Sequence, residues 1–342
     1  MSQQPVTMRH FKPSVASSRT HRLVALMLLI LVAVLALGAE VRADAPSGHP
    51  KLSISVLQFG TAHWELDHLL HQGLDRKHGY RLELLPVANL PASRLAVTSG
   101  SVNGAVADLL WAQSRYQSGT PYLYLPFSSQ IGDIVVADSS SIQSVADLTG
   151  KRIGVAGGPD SKGWILLQKV VDQQGLNLSD SADVQFAAPP LLNQALKRGQ
   201  VDVIVTYWHF AARLKGEGGW RSAFRMADLL GALNLDANLP VLGYVFPASW
   251  AREHQPLLRR FAGSLREAKA GLADDPGYWE RLRPLMGNPG EGIFGALRDG
   301  FVAGTPAPLT DRRTADLQRL LVLTGAAEDN LMPASLFYRS EP

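Results

Sequence analysis

The sequence predicts an α/β protein of two lobes, each a mainly parallel sheet flanked by helices, with a cleft between the lobes. From Lys51 onward, short apolar runs alternate with helical patterns, as a parallel sheet with crossover helices requires. The alternation comes in two series, separated by a polar stretch at Ser128 to Asp133 and a loop-like one at Asn234 to Pro240. The chain of 342 residues contains no cysteine, and a core of the size it can build needs no disulfide.

Leu52 to Phe59 (LSISVLQF) reads as the first strand. Gly60 and Thr61 turn the chain, and Thr61 stands where it could cap a helix to His78 with the stripe Leu66, Leu69, Leu70 and Leu74. Tyr80 to Val87 is a second strand, Pro91 to Thr98 a short helix and Val102 to Val106 a third strand, with Asp108 just past its end. Tyr122 to Phe127 is a fourth strand before the first crossing. The second series runs strand 134–137, short helix 145–149, strand 152–156, helix 160–174 closed by Gly175, strand 184–187, helix 190–198 ended by Gly199, and strand 201–207. After the return crossing come strand 241–246 and a mostly helical tail. Two crossings make the first lobe discontinuous: residues 44–131 and 239–342, with the second lobe at 132–238.

The N-terminus predicts a secretory leader, since Arg9, Lys12, Arg19 and Arg22 precede an uncharged apolar run from Leu23 to Leu37. Val41 and Ala43 suit signal peptidase, which places the signal peptide at 1–43. The run is shorter than the roughly 20 residues a membrane span needs, which disfavours a retained anchor. Removing the leader's five basic and one acidic residues from totals of 33 and 30 leaves 28 and 29. That balance argues against a nucleic-acid partner. The lack of cysteine excludes thiolate catalysis, cysteine metal sites and a lipid-modified tether.

The segment Val145 to Val155 (VADLTGKRIGV), after the strand Asp133 to Ala137 and before Gly157 and Gly158, resembles a signature of type II periplasmic binding proteins. ALKRGQVDVIVTYW at 195–208 and VTSGSVNGAVAD at 97–108 resemble the same superfamily's helix, turn and strand idiom. Within it the chain is similar to the branch that binds aliphatic sulfonates, taurine, nitrate and thiamine precursors. It departs where relatives carry hydroxyl residues after the loop glycine, having Pro159, Asp160 and Ser161, and where many carry an acidic residue and proline, having His209 and Phe210. The resemblance implies the substrate-binding component of an ABC transporter, periplasmic and monomeric, with a permease and its ATPase as partners, no cofactor and no turnover. The ligand class it implies is a small organic solute, such as a sulfonate or other anion with an apolar part. Two other readings stand beside it: a secreted accessory or sensing protein that docks on another protein, and an enzyme of thiamine-pyrimidine or menaquinone type.

Ligands of open α/β sheets bind beyond the carboxyl ends of the strands. The candidate site residues are therefore Gln58, Phe59, Gly60, Thr61, His63, Trp64, Asn89, Asp108, Trp111, Gly158, Asp160, Ser161, Lys162, Tyr207, Trp208 and His209. The turn at 157–161 opens a helix whose free amides and dipole favour an anion, with Asp160 expected to cap it. Trp64, Tyr207 and Trp208 supply flat faces with polar edges. Asp108 reads equally as a helix cap or as a cleft carboxylate. His63, Asp67 and His71 share one helix face at metal-ligand spacing, but a solvated flank is the commoner occupant of such a stripe, and no metal is expected.

Overall fold

The computed structural model describes residues 48–339. The expected signal peptide lies outside the described residues. Among these, no helix is long and apolar enough to cross a membrane.

The first series comprises β1 (Lys51–Leu57), α1 (Thr61–His71), α2 (Leu74–Lys77), β2 (Arg81–Val87), α3 (Leu90–Thr98), β3 (Gly104–Asp108), α4 (Leu109–Gln117) and β4 (Tyr122–Ser128). The second comprises β5 (Gly132–Ala137), β6 (Arg152–Ala156), α5 (Lys162–Gln173), α6 (Leu178–Ser181), β7 (Asp183–Ala187), α7 (Pro189–Lys197), β8 (Val203–Tyr207), α8 (Trp208–Glu217), β9 (Trp220–Arg225) and α9 (Met226–Ala232). The chain then returns through β10 (Leu242–Pro247), α10 (Ala248–Glu253), α11 (Gln255–Asp274), α12 (Tyr278–Leu282), α13 (Glu291–Ala303) and α14 (Asp311–Leu323).

The strands form two five-stranded sheets of matching layout, β2-β1-β3-β10-β4 and β7-β6-β8-β5-β9. In the first, β10 runs antiparallel to β3 and β4; in the second, β5 runs antiparallel to β8 and β9. The antiparallel strand of each sheet is the one the chain enters directly from the other sheet, so arriving from the cleft side reverses its direction.

The cores follow from burial on both sides of the sheets. Leu52, Ile54 and Val56 of β1 pack with Leu66 and Leu69 of α1 and with Phe261 and Leu265 of α11. Ile153, Val155, Val203 and Val205 pack against Leu166, Leu167, Val170 and Val171 of α5. At about 1.5–3 kcal/mol for each fully buried aliphatic side chain, these contacts dominate the stability of both layers. The tail is not confined to the first sheet, because α13 lies on α8. A Cβ on Gly216 would stand 2.6 Å from the Gly292 carbonyl oxygen, so this crossing needs glycine for the two backbones to touch.

Three expectations need correction. The helix expected over 61–78 breaks at Gly73, whose φ of 64° is left-handed, giving α1 and α2. Thr61 does not cap α1: Gly60 occupies the N-cap position, with no side-chain hydrogen bond. Asp160 does not cap α5 either. That helix starts at Lys162, and Ser161 holds the N-cap position without using its side chain.

Candidate functional site

The carboxyl ends of β1 and β3 in one sheet face those of β6 and β8 in the other across a cavity of about 760 Å³. Apolar groups make most of its wall, including Leu57, Val106, Phe127, Ile131, Ile165 and Met226. Eleven of the sixteen expected residues line it: Gly60, Thr61, Asp108, Trp111, Gly158, Asp160, Ser161, Lys162, Tyr207, Trp208 and His209.

Asp108 ends β3, caps α4 and borders the cavity. Its Oδ1 accepts from the Trp111 N–H at 2.9 Å, capping α4, while its Oδ2 lies 3.3 Å from Arg94 of α3 and 3.7 Å from Lys162 of α5. The Lys162 contact crosses from one wall to the other. Burial pushes the Asp108 carboxyl up, but Lys162, the Trp111 N–H and Arg94 together outweigh it and hold the carboxyl below its usual range.

The turn before α5 depends on Gly157, whose φ is +91°; a Cβ there would also stand 3.2 Å from the Tyr207 hydroxyl. Burial, then Asp108 and Asp160, push the Tyr207 hydroxyl up, so it stays protonated. Burial, then Arg213, hold the His209 imidazole down at about 4, so it is neutral near pH 7. The hydroxyls of Ser161 and Thr206 are buried in this wall without a hydrogen-bond partner. Trp208 packs over Gly300 of α13 and meets Trp64 edge-on at 6.2 Å.

Five expected residues lie off the cavity. Phe59 turns outward and is 69% exposed. The Gln58 carbonyl bonds His63 Nδ1 at 2.7 Å, which ties His63 to the turn before its own helix. Trp64 is buried among Trp208, Trp279 and Phe301. Asn89 caps α3, accepting from the Ala92 N–H at 2.9 Å. Position at a strand end did not decide direction in these cases. Of the metal-spaced stripe, Asp67 pairs with Arg281 at 2.5 Å.

Arg94 went unread because it sits inside a helix rather than in a strand-end loop. Leu90 and Arg94 both line the cavity, and their i, i+4 spacing on one face of α3 was the available signal. Thr206 was missed because it lies inside β8 rather than in the loop past its end.

Comparison with solved structures shows the fold. The periplasmic aliphatic sulfonate-binding protein SsuA of Escherichia coli is 20% identical with a TM-score of 0.67, covering 80% of this chain and 91% of its own. The periplasmic nitrate-binding protein NrtA of Synechocystis PCC 6803 is 13% identical with a TM-score of 0.56, covering 82% of each chain. The desulfurization enzyme DSZB is 15% identical with a TM-score of 0.53, covering 84% of this chain and 95% of its own. A search of curated protein sequences finds no significant match. The NMT1/THI5-like family pattern matches residues 77–277, more than half of the sequence, and spans most of the β-strands that build the cavity wall, so the chain belongs to the NMT1/THI5-like family.

Proposed function

We propose that the chain is a periplasmic solute-binding protein that captures a small organic anion with an apolar part and delivers it to an ABC permease and its ATPase. The lobes, 44–131 with 239–342 and 132–238, hinge at the two crossings and close on the ligand as a monomer. The observation that supports this reading best is the cavity itself. It is polar and charged around Asp108, Arg94, Lys162 and the 157–161 turn, apolar elsewhere, and walled by both sheets. Its volume lies in the range of organic ligand pockets, far above what an inorganic ion fills. The eleven lining residues named above are the proposed ligand contacts.

The sulfonate-binding and nitrate-binding neighbours favour capture of an anion, and DSZB on the same fold makes turnover the rival reading. Native mass spectrometry of protein purified from its own host identifies a retained solute, and small-angle scattering with that solute reads closure. A bound solute that compacts the protein and is recovered unchanged is expected. Chemical conversion of the solute would replace transport with catalysis, and failure of any solute to compact the protein would remove the reading.

A further inference from the structure

We propose, on the basis of the solute-binding reading above, that Asp108 is the specificity-determining residue that sets how much negative charge the cleft accepts, admitting one charge and refusing a second. Arg94 and Lys162 approach the same Asp108 oxygen, at 3.3 and 3.7 Å, from opposite walls of the cavity. The carboxylate offsets one of these two cations and leaves a single positive charge facing the guest.

The hydrogen-bonding inventory around this point is lopsided. Asp108 accepts from Arg94 and the Trp111 N–H and pairs with Lys162 at 3.7 Å. Donors remain. Arg94 Nε, Ser161 Oγ and Thr206 Oγ1 are buried without partners, and Thr206 is only 2% exposed. A buried donor left unmet is destabilising until a guest meets it. The pole therefore recognises an acceptor-rich monoanion such as a sulfonate or carboxylate.

A second negative charge has nowhere to go. The remaining cavity wall is largely apolar, and an unpaired charge buried there keeps its full desolvation penalty. Asp160, exposed on the turn beside Ser161, adds a screened negative charge that acts in the same direction. His209 is neutral and supplies no balancing cation.

Isothermal titration calorimetry tests this with three ring-matched probes: 1-naphthalenesulfonate, 1,5-naphthalenedisulfonate and neutral 1-naphthalenemethanol. The wild-type protein is expected to bind the monosulfonate at least tenfold more tightly than either other probe. Asp108→Asn keeps a side chain able to cap α4, and it should cut the preference for monosulfonate over disulfonate at least fivefold. Lys162→Gln should weaken the monosulfonate at least tenfold and leave the alcohol within twofold. Circular dichroism confirms that each variant is folded.

Equal wild-type affinity for mono- and disulfonate, an unchanged ratio in folded Asp108→Asn, or no binding of either sulfonate overturns the inference. If these fail while a neutral or cationic solute compacts the protein in scattering, solute capture stands, and the anion preference falls with the charge limit. If nothing compacts it, both fall.

Discussion

Glu65 of α1 and Asp108 at the end of β3 are both carboxylates paired with a lysine, yet their neighbours treat them in opposite ways. Glu65 is wholly buried in the core. One oxygen accepts from the Tyr244 hydroxyl and the other forms an ion pair with Lys269, each at 2.5 Å. Lys269 in turn lies 4.7 Å from the Phe127 ring and 4.9 Å from the Phe301 ring. Burial pushes the Glu65 carboxyl up even though Lys269 and Tyr244 pull the other way, whereas the Asp108 carboxyl is held low. Phe127 touches both centres: it lines the cavity, and Lys269 lies over its ring. The difference lies in the leftover donors. A buried charge whose partners are fully used can only organise packing, while one ringed by unused donors at a cavity can take a guest.

The sharpest way to break that contrast is Lys269→Met, which strands Glu65 in the core. It is expected to cost about 3–5 kcal/mol of stability, read by urea denaturation, with solute affinity of the folded protein unchanged. A loss under about 1 kcal/mol would mean that the core pair is no more structural than the cleft pair.

Acid gives a second separation. His68 is buried against Tyr278, and its imidazole is held at about 4 by burial first, then by Arg281 and His71, with Asp67 opposing. As pH falls through 6.5 the unfolded chain takes up a proton that the folded chain refuses until about 4. Stability from this group is therefore complete above pH 6.5 and is lost between 6.5 and 4, by roughly 3 kcal/mol at the limit. Urea midpoints from pH 7 to 4.5 should show the decline, to which the equally depressed His209 adds a like share, and His68→Gln should make it about half as steep. Asp108, held low, stays ionised across the same interval, so anion binding should outlast the first loss of stability.

Asp108→Asn is expected to cost only about 1–2 kcal/mol, since the cap survives and both cations border the cavity. A thermal melt showing a loss as large as that of Lys269→Met would assign Asp108 to packing. The smallest effect belongs to the exposed pair Arg225 and Asp228, 2.8 Å apart. Arg225→Ala should shift stability by less than about 1 kcal/mol, a baseline against which the other variants are measured.

Much of the strand framework was legible, for local reasons. The runs at Leu52, Arg152 and Val201 are apolar enough to be buried strands in any context, and Gly175 and Gly199 end helices with positive φ, 71° and 66°. β9 was not legible. Trp220–Arg225 carries two arginines and a serine at a sheet edge, where half-burial leaves no clean alternation to read. α4 went unread because its cap, Asp108, looks the same in sequence whether it closes a helix or faces a ligand.

By itself, the sequence determined the class of fold, the two series of elements and the turns from which a site could be built, because burial patterns and glycine conformations are local properties of the chain. Only the tertiary structure decided that Phe59 and Asn89 face away, that Arg94 joins from inside a helix, and that Lys162 reaches Asp108 across the cleft. Those facts depend on the direction and separation of side chains far apart in sequence, which are set by how the two sheets pack.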